Sequence, residues 1–372
     1  MVPWNSPRFD NHVEVCAFAD VRSGLRAIVA IHDLTLGPAV GGTRFYPYSS
    51  NDLALDDVLR LSRAMSYKCA LAGLPLGGGK AVIIGDPNKT KTVLLLQTYG
   101  EFLNRIGAQF STGEDVGMSM EDCEIIRQVS PYVAGTQSSG AGNPAIHTAS
   151  GVLYGLPAVL RAVLNREDFA GVHFAIQGLG NVGWQLCRML YQAGSQLSVS
   201  DLSWDRMQEA RTLLGATLVS PERIHAADVD IFVPCAMGGI INKETVKSIR
   251  AKAVAGAANN QIESREVGEE LQRRGILFAP DYVINAGGII GAAAELARIP
   301  GRKFLVQGLV ETRLKRIQER LDAIFEAAKM NRMTPEATAE KMAQEIISRS
   351  GSNSDDRKSI DFRVNEEKSF GS

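Results

Sequence analysis

The chain has 372 residues, 45% hydrophobic and 22% charged, which is enough for two domains with sizeable cores. Its 40 Lys and Arg balance 41 Asp and Glu, which excludes a nucleic acid or an anionic membrane as the main partner. No apolar run is long enough to span a bilayer and the first residues lack a signal peptide's basic and apolar regions. The five cysteines are scattered and never spaced as Cys-x-x-Cys, and the five histidines are dispersed. The expectation is a cytoplasmic protein with reduced thiols and no metal site.

Strand-like runs occupy residues 13–19, 25–31 and 42–46, followed by a helix over about 53–72. The apolar stripe of that helix is Val58, Leu61, Met65 and Ala72, and Lys68 falls on it. Two readings fit a lysine there: its stem snorkels outward, or its ammonium faces an internal anion. Next come Gly77-Gly78-Gly79-Lys80 and a buried strand, Ala81-Val82-Ile83-Ile84. Three glycines leave no side chain to crowd the lysine, so a ligand could approach bare backbone. A phosphate loop needs Gly where Leu74 stands and Ser or Thr where Ala81 stands, so that reading fails. A plain strand-leading turn with a solvated lysine stays open at this point.

A helix near 91–106 precedes Gly113-Glu114-Asp115-Val116-Gly117, acidic residues at a strand end. The glycine-rich segment 138–144 marks a domain boundary. Beyond it, strands at 172–177, 196–201, 230–235, 253–257 and 275–279 alternate with helices, which indicates a parallel doubly wound sheet. The strand ending at Gln177 runs straight into Gly178-Leu179-Gly180-Asn181-Val182-Gly183 and a helix to about 193, and Asp201 ends the next strand. This is the dinucleotide fingerprint in its required context. Gly178 serves the tight turn, Gly180 the approach of the pyrophosphate, and Gly183 helix–strand packing. A carboxylate at Asp201 would accept from the ribose hydroxyls and repel a 2′-phosphate, favouring NAD over NADP. Residues 303–348 read as helical and the rest as a mobile polar tail.

Six segments together resemble one family: residues 37–44, 65–68, 77–80, 114–117, 256–261 and 280–288 are similar to the amino-acid dehydrogenases acting on leucine, valine, phenylalanine and related substrates. The resemblance covers about 13–350. It implies an α/β protein with an N-terminal α/β substrate domain, a Rossmann-type NAD domain and an active-site cleft between them. The boundaries expected are 1–143 for the substrate, catalytic and oligomerisation domain, completed by helices at about 325–348; 144–324 for the NAD domain; and 349–372 for the tail.

The resemblance also implies roles. Lys68 would bind the substrate α-carboxylate and Asn260 would add a hydrogen bond to it. Lys80 would be the catalytic base, with a pKa brought down by a second ammonium and partial burial. Asp115 would shuttle protons at the substrate nitrogen. Gly41, Gly42 and Met65 would complete the substrate site. Thr148, Asn181, Val182, Cys235, Ala236, Asn259 and Asn285 match positions that line the cofactor, and each could equally be a packing residue. The implied reaction is oxidation of a hydrophobic L-amino acid to an iminium, attack by water activated by Lys80, and collapse to a 2-oxo acid and ammonia, reversible as reductive amination.

The expected side-chain pocket is Val40, Gly113, Ile289 and Ala292. Relatives acting on glutamate carry lysine where Val40 stands, which argues against that substrate. Enzymes for leucine and valine typically have Ala at the Gly113 position and Val at the Ala292 position, so both replacements here enlarge the pocket. Aromatic-selective relatives share the glycine, whereas residues 42–48 resemble the valine type. The hypothesis is a broad hydrophobic preference, open towards bulky or aromatic side chains, in a homo-oligomer. The alternatives are a non-catalytic NAD-binding regulator, or another two-domain NAD dehydrogenase sharing only the 178–183 loop.

Overall fold

The computed structural model describes residues 2–136, 144–236, 238–297 and 309–352. Strand β1 (Glu14–Asp20) turns through Gly24 (φ +73°) into β2 (Leu25–Asp33) and pairs with it antiparallel. Two short strands follow, β3 (Ala39–Val40) and β4 (Thr43–Tyr46). Ser50 accepts from the Leu53 amide at 3.2 Å and so caps helix α1 (Asn51–Leu71), which lies on β5 (Gly77–Ile84). Helices α2 (Pro87–Thr90) and α3 (Val93–Ile106), strand β6 (Phe110–Ser111) and helix α4 (Met120–Arg127) complete this half. Its sheet is mixed, ordered β1-β2-β5-β3-β6, with β4 also paired to β5. The β1/β2/β5 pairs are antiparallel, and the β3 and β4 pairs are parallel.

Helix α5 (Pro144–Leu164) leads into β7 (His173–Gln177), α6 (Asn181–Gln192), β8 (Gln196–Ser200), α7 (Trp204–Leu214) and β9 (Thr217–Leu218). Then come β10 (Ile231–Pro234), β11 (Ala253–Val254), α8 (Arg265–Arg273), β12 (Leu277–Phe278), α9 (Asp281–Ile284) and α10 (Gly287–Leu296). Helices α11 (Leu309–Asn331) and α12 (Pro335–Ser352) close the described chain. The second sheet is parallel throughout, ordered β12-β11-β10-β7-β8-β9. Its strand order reverses between β7 and β10, the switch point where doubly wound sheets take ligands. The expected two-part α/β architecture is thus the observed one. Helix α12 returns to pack on α1, while α11 packs on α5.

Three expectations need correction. First, the glycines before Lys80 belong to β5 itself and serve protein packing. A Cβ on Gly77 would overlap the Asp33 carbonyl, one on Gly78 the Ser66 backbone, and one on Gly79 would lie 2.7 Å from the Phe110 ring. Second, the stretch read as helical over 303–348 is interrupted at 332–334, and its described part holds two helices. Arg332 adopts φ +55° and the Thr334 hydroxyl accepts from the Ala337 amide at 3.2 Å, starting α12 anew at Pro335. Third, residues 349–352, assigned to the tail, are the last turn of α12. The rest of the tail, the segment 138–143 and residues 303–308 fall outside the described residues. No helix among the described residues is long and apolar enough to cross a membrane.

Below the first sheet, buried His12 places Nε2 3.0 Å from the Leu59 carbonyl and from Ser62 Oγ, and Nδ1 accepts from the Asp10 amide at 3.1 Å. Burial lowers its pKa from 6.5 to about 4. Between these values the unfolded chain binds a proton that the folded chain refuses. The contribution of His12 to stability is therefore complete above pH 6.5 and lost as pH falls towards about 4. Urea midpoints measured from pH 7.5 down to pH 4.5 (roughly spanning that shift) should fall, and His12→Gln should flatten the slope; an unchanged slope would place the acid sensitivity elsewhere.

Candidate active site

Lys68 projects from the last turns of α1 and Lys80 from the middle of β5, and both line one cavity of about 570 Å³. Lys80 is only 6% exposed and makes an ion pair with Asp115. The second oxygen of Asp115 accepts from Arg44 Nε at 2.9 Å and from its neighbour's amide, Val116 N, at 2.7 Å. Burial alone would raise the Asp115 pKa, but Lys80 and Arg44 outweigh it and hold the carboxyl well below the usual range. Arg44 also bonds Asp57 at 2.8 Å, and Asp57 accepts from Tyr48 (2.6 Å) and Arg60 (2.8 Å). Arg60 then reaches across the cleft to Asn260 Oδ1 at 3.1 Å.

Burial lowers the Lys68 pKa to about 8; Asp281 opposes the shift and Lys80 adds to it. The sequence expectation put such a depression on Lys80 and counted only the neighbouring ammonium and burial. The structure adds a carboxylate, Asp115, bonded directly to Lys80. Of the two readings of Lys68, the structure selects the inward one: the ammonium looks into the cavity. Its counter-charge Asp281 is half-buried, desolvation raises its pKa, and it accepts from the Gln261 amide at 2.9 Å.

The remaining expected residues fall into two groups. Val40, Gly41, Gly42, Met65, Gly113 and Asn260 line the same cavity, as do Ile289, Ala292, Thr148, Val182, Asn259 and Asn285. Gln261 fixes the loop bearing Asn259 and Asn260 by donating to the Gly256 and Ala258 carbonyls at 2.8 and 2.9 Å. Gly178, Gly180, Asn181, Gly183, Asp201, Cys235 and Ala236 are not on that cavity's wall. They gather instead at the C-terminal ends of β7, β8 and β10. Cys235 N donates to the Gln177 carbonyl at 2.7 Å, and Ala236 lies against Gly178.

The sequence profile described as Glu/Leu/Phe/Val dehydrogenase, dimerisation domain, matches residues 11–132, and that described as Glutamate/Leucine/Phenylalanine/Valine dehydrogenase matches residues 205–351. A phenylalanine dehydrogenase of Bacillus thermotolerans is 42% identical over 91% of this chain and 89% of its own length. A leucine dehydrogenase of Bacillus subtilis (strain 168) is 41% identical over 89% and 90%. The crystal structure of L-tryptophan dehydrogenase from Nostoc punctiforme superposes with a TM-score of 0.78 at 41% identity, covering 91% of this chain and 97% of that one. The chain belongs to the Glu/Leu/Phe/Val dehydrogenase family. It is an NAD(P)-dependent amino-acid dehydrogenase of the leucine, phenylalanine and tryptophan branch.

The dinucleotide that this family uses fits the residues present. Gly178 has φ +95°, a Cβ on Gly183 would overlap the Gly178 carbonyl, and a Cβ on Gly180 would meet nothing within 4 Å. The first turn of α6 carries no side-chain cap, which leaves its amides for an anion. Asp201 is pre-oriented by the Leu179 amide (2.6 Å) and the Ser203 amide (2.8 Å). On the cavity wall, Asn285 Oδ1 is buried without a hydrogen-bond partner although its Nδ2 donates to Ala257 and Asn259.

Sequence reasoning missed Arg44, Asp57, Arg60, Asp281 and the buried Glu295. Arg44 and Asp281 stood inside the motifs quoted for the resemblance, but nothing in their local sequence announces an ion pair. For the dinucleotide loop the outcomes separate cleanly. Gly180→Ala should leave the thermal midpoint unchanged yet weaken dinucleotide binding by roughly ten-fold or more, since only a ligand occupies that space. Gly183→Ala should lower both binding and the midpoint. Calorimetric titration with scanning calorimetry checks both, and tight binding by Gly180→Ala would refute the assignment of the loop.

Proposed function

We propose that this amino-acid dehydrogenase catalyses the NAD-dependent oxidative deamination of a hydrophobic L-amino acid to the 2-oxo acid and ammonia, and the reverse reaction. The observation that carries this reading is the buried Lys80–Asp115 pair facing Lys68 within one cavity. Lys68 would hold the substrate α-carboxylate, with Asn260 beside it. Lys80 would move a proton to and from water at the reacting carbon, and Asp115 would move one at the substrate nitrogen. The bound nicotinamide supplies the hydride acceptor. The carboxylate of Asp201, fixed by two amides, favours NAD, because a 2′-phosphate would meet its charge.

The side-chain end of the cavity supports a hydrophobic substrate. Val40, Gly113, Ile289 and Ala292 bring no charge, and the nearby Arg60 and Arg63 are engaged with Asp57, Asp10 and Glu340. A second substrate carboxylate would therefore go unpaired. The room at Gly113 and Ala292 extends the preference from branched-chain to bulky or aromatic side chains. A homo-oligomer is proposed from the dimerisation description and the open edge of β1, where Val13 and Val21 stand exposed.

Lys80→Ala should retain dinucleotide binding while amino-acid oxidation falls by on the order of 10³; substantial turnover would refute the role of Lys80. Rates of the unaltered enzyme on L-leucine, L-valine, L-phenylalanine and L-tryptophan test the pocket, and a clear preference for L-valine overturns the large-pocket reading. Lys68 makes a pH prediction. Its cation exists below about pH 8 in the free enzyme, so KM for the 2-oxo acid should climb above that pH. Lys68→Met should raise KM throughout and abolish the climb.

A further inference from the structure

Glu295 is a buried carboxylate, 4% exposed, for which the reaction has no use. Among the described residues no cation pairs with it. Its partners are three donors on one short segment: Oε2 accepts from the Gly135 amide at 2.7 Å, and Oε1 accepts from the Thr136 amide at 3.3 Å and the Thr136 hydroxyl at 3.0 Å. Burying a carboxylate is costly unless charge-assisted bonds offset the lost hydration, and these three do so. An apolar residue of similar size would take the acceptor away from all three donors. The charge is thus spent on holding a backbone segment in one place.

That segment faces the substrate end of the cavity. Ala134 and Gly135 line it, opposite α10. Ala134 N donates to the Thr112 carbonyl at 2.7 Å, and a Cβ built on Gly113 would meet the Ala134 carbonyl at 3.2 Å. The Ala134 carbonyl therefore sets how much room Gly113 leaves. On α10, Ile289, Ala292 and Glu295 succeed one another at spacing three and share one stripe. The helix that supplies one wall of the pocket also carries the carboxylate that anchors the other.

We propose that Glu295 is the residue that fixes the width of the side-chain pocket, a positioning residue for specificity that touches no substrate atom. The proposal rests on the deamination of hydrophobic amino acids described above. Glu295→Gln keeps the size but turns one acceptor into a donor facing donors, so the 134–136 wall loosens. The ratio of kcat/KM for L-phenylalanine to that for L-valine should then rise roughly ten-fold, the scale of one methylene in an apolar pocket. KM for the dinucleotide should stay unchanged. Thr136→Val removes one of the three bonds and should shift the ratio the same way by less; it decides the matter if Glu295→Gln does not fold. A merely structural role predicts a lower thermal midpoint and an equal loss on both substrates, and an unchanged ratio in the folded variants overturns the proposal. If the unaltered enzyme oxidises neither substrate, the deamination reading itself fails; if it oxidises them and the ratio holds, only the role of Glu295 does.

Discussion

The site depends on how closely α1 lies on β5. The Ser66 backbone sits where any side chain on Gly78 would be, so the helix and the strand touch through bare backbone. Both lysines are two residues beyond that contact, Lys68 on the helix and Lys80 on the strand. The short separation of the elements is what lets two ammonium groups open into one cavity and feel each other's charge. A larger residue at the strand position would part helix and sheet and carry the two cations away from one another. The glycines matter for catalysis through this packing, although the substrate is not what fills their space.

Two ammonium groups in a half-dry cleft need counter-charge, and the surrounding network provides it in graded fashion. Lys80 has a bonded carboxylate, Asp115, which is itself shared with Arg44. Lys68 has no carboxylate bonded to it among the described residues; Asp281, whose own charge is opposed by burial, and more weakly Asp115 act on it through space. The less compensated cation is thus the one to which the proposed function assigns the substrate carboxylate. Arg44, Asp57 and Arg60 then carry the same network across to Asn260.

What the sequence made legible was local. The strand–glycine–helix turn at 178–183 and the acid at the end of the next strand obey a rule confined to some two dozen residues, and the structure places them at the switch point of the sheet. Helix α5 escaped notice because it is buried against α6, α10 and α11, so its apolar residues run all round and no stripe marks it. The purpose of Gly77, Gly78 and Gly79 was misjudged because the groups that demand them, Asp33, Ser66 and Phe110, come from three other parts of the chain. Arg44 with Asp115 is the same case: 71 positions separate them, and only the parallel pairing of β4 with β5 brings the arginine beside Lys80's partner.

The two ends of the cavity discriminate by different physics. At the charged end, ions and hydrogen bonds in fixed geometry reject a ligand that lacks the matching group by large factors. At the other end the lining groups are Val40, Gly113, Ile289 and Ala292, which under the proposed reading would recognise only shape, worth about one to three kcal/mol per methylene. A methyl group on Gly113 would meet the Ala134 carbonyl at 3.2 Å, a contact that a few tenths of an ångström of wall movement would relieve. Selectivity among hydrophobic amino acids can therefore be retuned by single methyl groups, or by the bonds that hold the wall, without disturbing Lys68, Lys80 or Asp115.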